Sequence, residues 1–121
     1  MTTATLEKTS SLGFEDIQSF LYAEARALDD RDWDTWLGFY HADCPFWMPA
    51  WDDEDMLTED PQNEMSLIYY PNKSGIEDRV FRIQTDRSSA TSLPEPRTQH
   101  HLANIEVLSR EGTQIKLRFN W

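Results

Sequence analysis

The chain has 121 residues, one domain's worth, and at that size roughly 67% of the unfolded surface is buried on folding, enough for an ordinary core. It carries 22 Asp and Glu against 11 Lys and Arg, a net charge of −11, which argues against nucleic acid and anionic membranes as partners, since phosphate affinity comes from clustered Lys and Arg. No apolar run reaches the length of a membrane span, and residues 1–11 lack the apolar stretch of a signal peptide, so a cytoplasmic location is expected.

Residues 1–12 show no periodic apolar pattern and read as a flexible leader, with Leu6 and Leu12 as its candidates for packing. Residues 13–121 are expected to form a single domain. Gly13 opens a first helix, because Phe14, Ile17, Phe20, Leu21, Ala25 and Leu28 recur with a 3.6-residue period. Glu15 and Asp16 suit the positive end of its dipole, and the run from Asp29 to Asp32 ends it. Asp32 is the expected N-cap of a shorter second helix with Trp33, Trp36, Leu37 and Tyr40 on one side. Residues 44–49 have proline at both ends of the apolar stretch and read as an edge strand. Residues 51–64 contain seven acids and no base, which makes them a solvated loop.

Met65 to Tyr70 is a continuous apolar strand halted by Pro71. Ser74 and Glu77 fit a capping box that starts a third helix with Ile76, Val80 and Ile83 as its buried stripe. Residues 85–97 hold three Ser, two Thr and two Pro and form the loop best suited to flexibility. A strand is expected from Thr98 to Leu108, with His101, Ala103, Ile105 and Val107 on one side, then a turn at 110–113. Ile115, Leu117, Phe119 and Trp121 then alternate with polar residues in a half-buried strand. That strand is still running at Trp121, an unfinished sheet edge, and the sequence is expected to be a fragment whose C-terminal portion supplies more strands. The order gives an α+β fold with N-terminal helices on one side of a curved antiparallel sheet.

Three histidines, His41, His100 and His101, raise the question of metal. Adjacent strand residues point to opposite faces, so His100 and His101 do not share an ion from a regular strand, and ordinary structural histidines are the simpler reading. The lone cysteine, Cys44, excludes an internal disulfide and any cluster needing two cysteines from this chain. Cys44 precedes a proline with no evident base nearby and reads as a packed thiol. His101 on an apolar strand side, or Asp43 beside His41 and Cys44, is a candidate general base in a pocket between sheet and helices. A backbone-bonded buried His and a loop-capping Asp are the plainer alternatives.

Phe46, Trp47, Met48 and Trp51, with Tyr69 and Tyr70, are either core or interface, since Trp, Tyr, Met and Arg are enriched where proteins meet. Phe46, Trp47, Trp51, Tyr69 and Tyr70 are the subunit-interface candidates, with Arg79, Arg82, Arg87 and Arg97 as charged anchors.

Three ordered blocks carry a resemblance. Residues 20–29 with Trp33-Asp34-Thr35-Trp36-Leu37, residues 66–70 with 75–83, and Pro96-Arg97-Thr98-Gln99-His100 with Asn104 resemble the small (beta) subunit of aromatic-ring-hydroxylating dioxygenases, its benzoate and toluate branch above all. The resemblance runs from about Phe14 to Trp121. It implies a cone-shaped domain of the NTF2-like, ketosteroid-isomerase-like kind, mainly structural, with no catalytic, cofactor-binding or metal-binding residue of its own. It also implies self-association as a trimer within a hetero-hexamer. The large (alpha) subunits there carry the Rieske [2Fe-2S] cluster and the mononuclear iron, and a separate reductase supplies electrons from NADH. Two other readings use the same cone: a stand-alone isomerase or dehydratase with His101 or Asp43 as base, and a non-catalytic ligand-binding domain.

Overall fold

The computed structural model describes residues 2–5, 12–85 and 97–121. The elements are β1 (Thr2–Thr5), α1 (Phe14–Asp29), α2 (Trp33–Gly38), β2 (Phe46–Pro49), β3 (Ser66–Tyr70), α3 (Ser74–Gln84), β4 (Ala103–Glu111) and β5 (Gln114–Asn120). The architecture is α+β, in two compact units: residues 1–32 with 97–121, and residues 33–96. Leu6 and Arg87 lie outside the described residues.

In the first unit, antiparallel strands run in the order β1-β5-β4. Residues 2–5, read from the sequence as leader, form a strand because β5 offers them a free ladder, with Thr2 opposite Leu117 and Thr5 opposite Gln114. The unfinished edge expected at β5 is therefore occupied on both sides, and β5 is the central strand. Its alternation holds: Ile115 and Leu117 are at most 1% exposed, while Gln114, Lys116 and Arg118 face solvent. Ile17 and Leu21 of α1 close the same cluster, with Leu12, Phe20, Ile105, Val107 and Phe119 around it. Burying four such side chains contributes about 1.5–3 kcal/mol each. Phe14, expected on this stripe, is exposed at the first turn of the helix. There the Asp16 carboxylate accepts the Gly13 N–H at 2.8 Å.

Strand β4 begins five residues later than expected. Asn104 adopts φ +55°, and the register slips between Ala103 and Glu106. Asn tolerates the left-handed region, and a slip of this kind reverses which face each preceding side chain occupies. Ile105 and Val107 accordingly stay half-buried while His101 and Ala103 turn out to solvent. Gly112, at φ +57°, makes the two-residue turn from Glu111 to Gln114.

In the second unit, β2 and β3 form a two-stranded antiparallel sheet, and α3 packs against both α2 and β3. Trp36, 6% exposed, sits at the centre of an edge-on aromatic cluster with Trp33, Tyr40 and Phe46, and Phe46 stacks on Tyr70. Ile76 and Val80 are the buried stripe of α3, as their spacing requires. The capping box is replaced: Ser74 is already helical, and the Asn72 side chain accepts from its N–H and hydroxyl at 2.9 and 2.6 Å. Gly75 carries no side chain because the Tyr70 ring occupies that space.

Candidate functional site

Asp29 is the last residue of α1, where the helix dipole disfavours a carboxylate. Three donors hold it there. Its Oδ2 accepts the His100 backbone N–H at 2.8 Å, and its Oδ1 accepts the Thr98 hydroxyl at 2.9 Å and meets His100 Nδ1 at 2.5 Å. An ionised carboxylate only accepts, so the hydrogen between them is carried by Nδ1. The His100 N–H is the main reason the Asp29 carboxyl titrates below its ordinary value, helped by the His100 ring and Thr98 and opposed by burial. The two side chains are only 21% and 24% exposed. An open cleft of about 910 Å³ surrounds them, with Tyr22, Arg26, Asp30, Arg97 and His101 on its walls. A carboxylate-oriented imidazole is the arrangement of a general base, but here all three Asp29 bonds go to residues 98–100. The geometry is that of a tether between the end of α1 and the approach to β4.

His101, the histidine favoured on sequence grounds, is exposed at the rim of that cleft, because the left-handed Asn104 breaks the alternation that would have turned it inward. Asp43 and His41 stand 3.9 Å apart with side chains 93% and 73% exposed, too open and too distant for a working dyad. Cys44 donates weakly to the Pro45 carbonyl, and burial pushes its thiol pKa up, away from nucleophile chemistry. Among the described residues, no group of three or more His, Cys, Asp or Glu is placed to hold a metal ion.

The aromatic candidates divide by strand alternation. Phe46, Met48 and Ala50 point inward, and Ala50 is buried. Trp47 and Trp51 point the other way, at 37% and 71% exposure. Tyr69, paired with Trp47, is half-buried on the outward face, while Tyr70, paired with Phe46, belongs to the inward cluster. The register then steps from Met48 opposite Ile68 to Pro49 opposite Ser66, so Leu67 is an extra residue. Alternation from Tyr69 puts Leu67 on the Trp47 side, where it is 73% exposed. The Trp47 indole N–H donates to Ser66 Oγ at 2.8 Å, which ties that ring to β3.

The acidic loop adjoins this face. Trp51 pairs with Leu57 in an isolated bridge, and Thr58, buried, accepts the Ala50 N–H at 3.0 Å and donates to the Met65 carbonyl at 2.8 Å. Asp52 accepts from the N–H groups of Glu54 and Met56, and Glu64 from those of Glu59 and Asp60. Asn63 and Gln62 hold the Asp60 carboxyl below its ordinary pKa. The loop is solvated, as its composition requires, yet its acids cap its own backbone. Arg79, Arg82 and Arg97 are exposed.

A family profile described as ring hydroxylating beta subunit matches residues 23–121. The chain belongs to the ring-hydroxylating beta-subunit family. It is 61% identical to the benzoate 1,2-dioxygenase subunit beta of Acinetobacter baylyi over 92% of its own length and 65% of that protein's. It is 56% identical to the toluate 1,2-dioxygenase subunit beta of Pseudomonas putida, over 92% of this chain and 68% of that one. The crystal structure of the benzoate 1,2-dioxygenase beta subunit of Burkholderia mallei superposes with a TM-score of 0.75 at 51% identity, covering 90% of this chain and 65% of that one. The chain thus spans 65% of the length of the Acinetobacter relative.

Within this beta-subunit fold the motif blocks are structural junctions. The first contains Asp29, and the third supplies Thr98 and His100, so the two blocks meet in one hydrogen-bonded knot. The second block brings Tyr70 onto Gly75. Sequence reading missed the role of Asp29, which looked like a helix terminator. The available signal was its position as an acid at a helix C-terminus, where nothing local stabilises it.

Proposed function

We propose that this chain is the small, mainly structural subunit of a Rieske-type dioxygenase that cis-dihydroxylates an aromatic carboxylate such as benzoate in aromatic catabolism. The carrying observation is the 61% identity to a benzoate 1,2-dioxygenase subunit beta. In this reading the domain, residues 13–121, is a single NTF2-like cone with a curved sheet, and it works in the cytoplasm. It self-associates as a trimer and presents a surface to the large subunit, within a hetero-hexamer. Electrons come from NADH through a separate reductase and are consumed, with O₂, as both oxygen atoms enter the ring.

The iron groups do not fit this chain's donors. A Rieske cluster needs two cysteines and two histidines, and the chain has one cysteine. A mononuclear iron needs three converging ligands, and no such group exists among the described residues. In this reading the chain's contribution is positional: it holds neighbouring large subunits at a fixed separation. Phe46, Trp47, Trp51, Tyr69 and Tyr70 remain its proposed interface residues, with Trp47 and Trp51 the two that face solvent.

Co-expression of the tagged full-length protein with its large subunit tests this. The expected result is a complex of constant stoichiometry whose iron stays with the large subunit after separation. A homo-oligomer that captures no large subunit and turns over a substrate alone would overturn it.

A further inference from the structure

We propose that the outward face of the β2–β3 sheet, rimmed by the acidic loop, docks a protein surface with an apolar centre and a basic rim. The proposal rests on the subunit reading above and assigns that surface to the large subunit. Trp47, Trp51 and Leu67 share this face by alternation and register, and Leu57 lies opposite Trp51. Their exposures are 37%, 71%, 73% and 45%, with Met65 beside them at 77%. Large apolar side chains left exposed together on one face mark an interaction site more often than a bare monomer surface.

The charge around it selects the occupant. Residues 51–64 bring seven carboxylates and no base to the edge of the face. Asp52, Asp60 and Glu64 shape the loop, while Asp53, Glu54 and Glu59 are exposed. Two copies of this chain meeting here would bring two such rims together, which like-charge juxtaposition penalises. A partner with Arg or Lys around an apolar patch meets both requirements.

The test measures binding kinetics of the full-length protein with its large subunit across a salt series. Leu67→Asp combined with Trp51→Ser is expected to speed dissociation by about tenfold or more, because central apolar anchors control the off-rate. Asp53→Lys with Glu54→Lys is expected to slow association and flatten its salt dependence. Phe81→Ser, which removes an exposed ring on α3, is expected to change neither. Circular dichroism checks that each variant folds. If the wild type binds and both face variants bind as it does, the face is refuted and the subunit reading stands. Loss of self-association with binding to the large subunit intact makes a second copy the occupant and overturns the proposal. Failure of the wild type to bind overturns both.

Discussion

Replacing Gly75 by alanine should destabilise the protein, although the same change in a helix ordinarily stabilises it. Gly75 is the second residue of α3, where alanine is favoured by up to about 1 kcal/mol. The added Cβ would collide with Cβ, Cγ and Cδ1 of Tyr70. These are the near atoms of that side chain, so no rotation of a flexible tip relieves them, and Tyr70 or the start of α3 has to move. Overpacking of this kind costs about 1–3 kcal/mol. Displacing Tyr70 also disturbs its stacking on Phe46, 6.2 Å between centroids at 29°, worth about 0.5–1.5 kcal/mol. After the helix gain is subtracted, the net loss is about 1–3 kcal/mol. Urea unfolding followed by tryptophan fluorescence reads it as a lower midpoint with an unchanged slope. In a Tyr70→Gly background the sign should reverse, because all three obstructing atoms are gone and only the propensity gain remains. A Gly75→Ala protein as stable as wild type, or the same loss in both backgrounds, would refute the reasoning.

Leu117→Ala, at the centre of the β5 cluster and 1% exposed, should cost about 2–5 kcal/mol in the same urea assay. Cys44 should react with a thiol reagent more slowly than a free cysteine at pH 8, since burial raises its pKa and leaves less thiolate; denaturant should abolish the difference. Asn104→Val should lose about 1 kcal/mol or more, while Asn104→Gly stays near neutral, because only the β-branched residue is strained at φ +55°.

Much of this fold can be read from local pattern. The 3.6-residue spacing of Ile17, Leu21 and Ala25 and the alternation of Ile115 and Leu117 predict the two surfaces that make the first core. Ile76 and Val80 do the same for α3. Reading fails wherever a partner decides. The four residues of β1 have no pattern of their own and become a strand through β5. The run from Met65 to Tyr70 reads as a continuous apolar strand, yet Leu67, on its outward face, is 73% exposed. Ser74 and Glu77 satisfy the spacing of a capping box, but Asn72, two residues upstream, reaches the helix start first.

The two adjacent histidines show the same limit and provide its sharpest test. Alternation carried back from Ile105 puts His101 inside; the left-handed Asn104 cancels that inference and Asp29 selects His100 instead. The selection has a pH signature. Asp29 titrates below its ordinary value of 3.8 in the folded protein. Its contribution is therefore fully present above that value and is lost as pH falls through the lower folded pKa. Asp29→Asn should flatten this part of the acid limb of stability most. His100→Gln should flatten it in part, because the His100 backbone N–H, the largest cause of the shift, survives the substitution. His101→Gln should leave the limb as in wild type. Urea midpoints measured from pH 2 to pH 6 would rank the three, and equal effects of the two histidine substitutions would mean that Asp29 does not discriminate between them.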